Sequence, residues 1–414
     1  MQYKRALIAA ASLAAITSAS AADLGSGIEF TGYSRGGPVF KSDKNIDAKT
    51  DSVGGFSLGG DLQGYRLGNE GTQGGYEFFI GKTFDAENGV KYKFGYMPEN
   101  WGGGIKTVQA YSEIWGLDFA PEAKFWVGQR RLRIQDVHIV DNFLMDLGEY
   151  QGAGVQDWAV GPATVGLTVS SGDKFDAKLP QGTSASKVNL DVGFPVNDSG
   201  KLRLVATSVS TTGFGKNGGS GFSLLYNQGF GALKNSLYLQ TSSGLANIQG
   251  KFVDLKQGTD AAGAAAAAAG VVGAKVSRVA DSIDWQVGNF GGQALVGYQT
   301  SEPDDGNDVE TKDLTFGGRI SYAFTNNFKL LLEAASTKRT RDGGDDQTLN
   351  KVTIAPTLSS GAGFYKRPEL RLYVTMANWN TAAAEANADT FGTDDNGDAL
   401  KKQTIVGLQY EIWW

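Results

Sequence analysis

DLTFGGRISYAF, residues Asp313 to Phe324, keeps a two-residue alternation over its whole length. Leu314, Phe316, Gly318, Ile320, Tyr322 and Phe324 fall on one face of an extended chain, and Thr315, Gly317, Arg319, Ser321 and Ala323 on the other. A globular strand runs about five or six residues. This run is longer and suits a tilted strand that crosses a bilayer in about 9 to 11 residues. Rings and branched side chains on one face predict a wall with lipid outside and water inside.

The pattern recurs along the chain. Leu370, Leu372, Val374 and Met376 alternate with Arg371, Tyr373 and Thr375, and Val90, Tyr92, Phe94 and Tyr96 alternate with Lys91, Lys93 and Gly95. Shorter runs appear at Lys201 to Ser208 and Asn235 to Thr241. Near the start, IEFTGYSRGG sets Ile28, Phe30 and Gly32 against Glu29, Thr31, Tyr33 and Arg35. Gly74 to Gly81 sets Tyr76, Phe78 and Ile80 against Glu77 and Phe79, and YRLGNE at Tyr65 to Glu70 is read as opening that element. About fourteen runs are clean, with room for four more. Polar stretches between them read as loops: residues 42–60, Ser301 to Lys312, Lys338 to Asn350, Thr381 to Lys402, and Asp260 to Val276, whose alanine run could form a short helix. Short turns on one rim and long loops on the other are the asymmetry of an outer-membrane barrel.

Composition agrees. The 58 glycines against nine prolines, with 11% aromatic residues, suit many turns and interfacial rings. Lys4 and Arg5 precede an apolar stretch and the small residues Ser18 to Ala22, the pattern of a secretory signal, so residues 1–22 are read as a signal peptide and 23–414 as one barrel domain. No later stretch approaches the roughly 20 apolar residues of a spanning helix. An exported chain without cysteine has no disulfide framework. With one histidine as well, most zinc and thiol chemistry is removed, and no cofactor or metal is expected. A net charge of −6 argues against nucleic acid. Asp394, Asp395 and Asp398 lack the spacing of an EF-hand and read as a solvated loop.

WVGQRRLRIQDVHIVDNFLMD, Trp126 to Asp146, departs from the alternation. Charges of both signs among aliphatics fit a segment that leaves the wall, turns inward and hydrogen-bonds something hydrated and neutral. A surface loop with solvated ion pairs is the competing reading. Arg130, Arg131 and Arg133 cannot all face one way on an extended segment, so one or two are expected to pair with acids in the wall. His138 reads as a pore-lining hydrogen-bonder or as a structural one inside the folded segment. An enzyme would need His138 as the base of a nucleophile. Its spacing from Asp136 does not orient a triad, and no G-x-S-x-G elbow exists.

The chain ends in KKQTIVGLQYEIWW, with Trp414, Ile412, Tyr410, Leu408 and Val406 on one face and Trp413, Glu411 and Gln409 on the other. A terminal aromatic on an apolar face resembles the signal by which outer-membrane barrels are recognised by their assembly machinery. GYSRGG, YRLGNE, WVGQRRLRIQDVHIVDNF, KRPELRLYVTMANWN and the terminal EIWW together resemble the maltoporin family of sugar-specific outer-membrane channels. That resemblance implies an all-β fold, an eighteen-stranded antiparallel transmembrane barrel, trimeric, with loops folded into each pore, in the outer membrane of a Gram-negative bacterium.

It also implies roles. Tyr33 and Trp413 match rings of an aromatic slide for oligosaccharide, Phe143 stands where the family has a constriction tyrosine, and Tyr365 where it tends to have tryptophan. Trp101 matches a loop tryptophan that reaches a neighbouring subunit's pore. Phe222 could be another slide ring or could face lipid, since Leu224 and Tyr226 share its face. Arg35, Arg66 and Arg133 match or neighbour the polar-track arginines, and Glu77, Asp136 and Asp141 the acidic positions. There are departures: Gly75 stands where a slide ring is expected, and Ile134 where an arginine is. A general diffusion porin with the same barrel and no aromatic line is the alternative.

Overall fold

The computed structural model describes residues 22–23, 27–42, 55–70, 73–214, 218–255, 271, 273–304, 309–394 and 396–414. Residues 1–21 of the expected signal, the alanine run and Asp395 lie outside these.

Among the described residues, eighteen long antiparallel strands form a closed barrel. The first is Ile28–Gly36 and the last Lys402–Trp413, and they pair with Tyr33 opposite Trp413. The Gly32 and Trp414 backbones exchange two hydrogen bonds at 3.1 Å there, so no edge is left open. Beyond Pro38, Val39–Ser42 runs on along the last strand.

The wall is apolar outside and polar inside. On the strand Thr311–Ala323, Phe316 is 59% exposed, while Thr315, Arg319 and Ser321 are buried. Leu370, Leu372, Val374 and Met376 are likewise exposed, and the alternating Arg371, Tyr373 and Thr375 buried. In water this surface would associate; against hydrocarbon it is the stable arrangement, because the closed ladder satisfies every strand's backbone internally.

Inside, many of the charges are paired. Arg371 bonds Glu369 and Glu411, Arg367 bonds Glu411 at 2.7 Å, and Arg319 bonds Glu333 at 2.7 Å. Three of the described segments fold deep into the lumen. Residues 55–70 lie against the inner wall: Leu67 N–H donates to Glu333 Oε1 at 3.0 Å, and Lys351 Nζ donates to the carbonyls of Tyr65 and Leu67 at 2.9 and 2.7 Å. YRLGNE therefore does not open the next strand, which begins at Gly75. Its backbone groups are satisfied by side chains about 280 residues away in the sequence.

The second segment is the hairpin Lys124–Val137 and Asn142–Val160, which leaves the wall after Arg131 through three register shifts. Its tip reaches the opposite wall, where Ile139 N–H donates to Gln293 Oε1 at 3.0 Å. The third, residues 245–255, meets it: Gln249 Nε2 donates to Asn142 Oδ1 at 2.5 Å, and Asn142 Nδ2 to the carbonyl of Asp61 at 2.6 Å. Lys187, fully buried, holds the carbonyls of Leu147 and Gly250.

Two loop expectations are corrected. Lys338 to Asn350 is mostly strand, since Phe328–Arg341 and Gln347–Ser359 run past the apolar belt and only 342–346 turn. Thr381 to Lys402 holds two short helices, Thr381–Ala386 and Ala388–Phe391; Asn380 caps the first through Ala383 N–H at 3.0 Å, and Phe391 packs on Trp379 at 4.3 Å.

Candidate functional site

The inward segments and the wall around the closing seam enclose a cavity of about 1070 Å³. Tyr33, Trp101, Phe143 and Trp413 line it, with Arg35, Arg66, Glu77, Arg133, Asp136 and Asp141. The sequence spreads these residues over the whole chain; barrel closure brings them together.

Rings follow one another along one side. Tyr33 and Trp413 are directly opposite in register, so both project inward, and their centroids lie 6.4 Å apart at 26°. Trp101 continues the run, 5.8 Å from Tyr33. On its other side Trp413 is backed by the Arg367 guanidinium at 4.1 Å and by the edge of His138 at 5.7 Å. Phe143 stands elsewhere on the lining with the Arg133 guanidinium over it at 4.4 Å.

Charged groups beside the rings are partly committed to one another. Arg66 Nη2 lies 2.8 Å from Glu411 and Nε 2.9 Å from Glu70; Arg35 bonds Glu70 and, at 2.6 Å, Asp141. Burial opposes the charge of Arg66, but Asp141, Glu411 and Glu70 outweigh it and raise its pKa well above the ordinary value. The Tyr33 hydroxyl donates to Glu411 Oε1 at 3.0 Å and accepts from Arg66 at 2.5 Å, which fixes the ring. Arg131 holds Glu77, Glu99 and Glu149 at 2.6, 2.8 and 2.9 Å, with Lys174 at 3.0 Å from Glu149. Arg130 pairs with Glu113 at 2.8 Å in the wall. Asp136 forms no ion pair among the described residues and borders the open space, as does Arg133, whose nearest acid is Glu77 at 3.6 Å. Of these two, Arg133 is a third exposed and Asp136 is buried at the cavity edge.

His138 sits in the fold of the hairpin. Arg66 Nη1 is 3.3 Å from Nδ1 and Arg367 Nη2 3.2 Å from Nε2. Burial and the two guanidinium groups hold the ring neutral, so only its unprotonated nitrogen accepts, from one of the two arginines.

Two expected residues are elsewhere. Phe222 is on the outer wall, 45% exposed, because its neighbours Ser223 and Leu225 point inward, Ser223 Oγ donating to the Ile248 carbonyl at 3.3 Å. It is removed from the aromatic line. Tyr365 does not line the cavity: its hydroxyl donates to Asp284 and its ring lies edge-on behind His138 at 5.6 Å. Glu99, Tyr150, Lys174 and Lys251 line the cavity without having been singled out, the last from the inward segment 245–255. Nothing in the local pattern marks them, since their placement depends on how the loops fold.

The sequence model of the LamB porin family matches residues 28–414. A protein named maltoporin from Hahella chejuensis is 26% identical over 357 residues, 81% of this chain and 80% of that one. One of the same name from Vibrio cholerae serotype O1 is 24% identical across the full length of both. Among solved structures, in-vitro folded OmpT of Vibrio cholerae is 10% identical with TM-score 0.49, covering 94% of this chain and 97% of that one. An anion-selective porin from Comamonas acidovorans is 11% identical with TM-score 0.45, over 93% and 99%. With a closed barrel, an apolar outer wall and a family match over nearly its whole length, the chain belongs to the LamB porin family and is a channel of the Gram-negative outer membrane.

Proposed function

We propose that the chain carries oligosaccharides of the maltodextrin type, or related sugars, across the outer membrane by facilitated diffusion. The observation that supports this most is the run Trp101, Tyr33, Trp413 on the lining of a cavity that also presents Asp136 and Arg133. A sugar ring has apolar C–H faces and a belt of hydroxyls. The rings take the faces by stacking, and the charged groups exchange hydrogen bonds with the belt. Successive contacts of similar strength let a chain of sugars slide instead of lodging, as conduction requires. The two relatives named maltoporin support the same reading. Assembly as a homotrimer, and recognition of the last strand by the assembly machinery, belong to this proposal and rest on family membership.

The test is ion conductance of the purified protein in a planar bilayer during titration with maltotriose, sucrose and a β-linked oligosaccharide. Saturable block by one of them is expected, and the best blocker names the substrate class. A large steady current that no sugar alters would make the chain a general diffusion porin.

A further inference from the structure

Lys187 is a fully buried lysine on the inner face of the wall strand Ser184–Pro195, with Ser186 and Val188 exposed on the outer face to either side. Its ammonium donates to the carbonyl of Leu147, on the returning strand of the inward hairpin, and at 3.0 Å to that of Gly250, in segment 245–255. The rings of Tyr150 and Phe252, one from each segment, lie 5.0 and 5.5 Å from it and meet each other edge to face at 4.9 Å. One cation thus touches the backbone and a ring of both segments.

The buried lysines Lys329 and Lys351 have acids at 2.5 and 2.7 Å, Glu369 and Glu333. Lys187 has no ion pair among the described residues; carbonyl oxygens and ring faces receive its charge. A buried ammonium is costly unless those contacts are made, so release of either segment strands the charge, and the two segments are held as one. Gln240, on the wall strand Leu233–Gly244, repeats the arrangement: its Nε2 donates to the carbonyls of Leu144 at 2.7 Å and Ile248 at 3.1 Å. Each donor takes one carbonyl from the hairpin and one from segment 245–255.

The residues next to the held carbonyls line the cavity: Gly148 and Glu149 after Leu147, and Gln249 and Lys251 on either side of Gly250. Lys187 and Gln240 stand behind that lining. We propose that Lys187 is a positioning residue which, with Gln240, clamps the inward hairpin to segment 245–255, and that this clamp sets the bore of the channel and so the size of solute that passes. The proposal stands apart from the sugar reading, because a bore is read with salt alone.

Lys187→Met keeps the length of the side chain and removes the ammonium. Single-channel salt conductance is expected to rise about twofold, and the largest poly(ethylene glycol) that enters and lowers the current to become larger. The wall is expected to stay folded, since its strand is laddered to both neighbours through the backbone, and far-ultraviolet circular dichroism checks this. Unchanged conductance and polymer cut-off in the folded variant would overturn the proposal. If that variant does not fold, Gln240→Leu breaks the equivalent tie with Lys187 in place; the same rise is expected, and its absence would overturn the proposal.

A second measurement separates the clamp from simple packing. The chain has no cysteine, so Lys187→Cys offers a single thiol. Alkylated with bromoethylamine in the unfolded chain and then refolded, it regains an ammonium at the reach of lysine; alkylated with bromopropane, it regains the volume alone. Wild-type conductance in the first and raised conductance in the second are expected. Wild-type conductance in both would mean that filling the space is enough, and would overturn the proposal.

Discussion

Tyr33 and Trp413 are paired residues of the first and last strands, and the same register that closes the barrel sets their rings 6.4 Å apart on its inner face. Closure and the aromatic line are one feature of the fold. Tyr33→Phe keeps the ring but drops the hydroxyl bonds to Glu411 and Arg66. It is expected to weaken sugar block severalfold, whereas Tyr33→Ala, losing the ring too, weakens it by about tenfold or more. Equal block in both variants would separate the ring from binding.

Phe316 stands exposed on the outer wall. Phe316→Arg is expected to cost about 2–4 kcal/mol of folding stability in a bilayer, as a cation on a lipid-facing strand does. Urea titrations of the protein folded into vesicles measure this. No change would mean that this face does not meet hydrocarbon.

Glu411 is fully buried and is the counter-ion of Arg66, Arg367 and Arg371. Glu411→Gln keeps the volume and leaves those cations short of a charge, so a loss of about 3–5 kcal/mol is expected in the same urea titration. It is also expected to loosen Tyr33 and so weaken sugar block.

Asp136 borders the cavity without an ion-pair partner among the described residues. Burial and the nearby Asp284 and Asp141 push its pKa up to about 7. Well above that pH the carboxylate prevails and a hydrogen bond to a charged group is worth about 1.5–3 kcal/mol, so Asp136→Asn is expected to raise the half-blocking sugar concentration up to roughly tenfold. Well below it, the substitution is expected to change that concentration little. A blocking curve unchanged at the higher pH would assign the polar contacts to other residues.

The barrel was legible because membrane strands carry their signal locally: at Asp313 to Phe324 the two faces differ at every step, and the structure separates them as the alternation predicts. The inward hairpin was legible too, from its mixed charges. YRLGNE was misread as strand because what holds it inside is Glu333 and Lys351, far along the chain. Phe222 was ambiguous because Leu225, on the opposite face, is also apolar: it joins the buried cluster in the lumen that includes Leu147 of the inward hairpin, so both faces of that strand look lipid-like.

The most direct measurement is maltotriose block of the ion current through single channels of the wild type and of Trp413→Ala, side by side. Saturable block in the wild type, with a half-blocking concentration about tenfold higher in the variant, is the expected result. A wild-type current that maltotriose and related sugars leave untouched, or identical block in both proteins, would contradict a sugar path along Trp101, Tyr33 and Trp413.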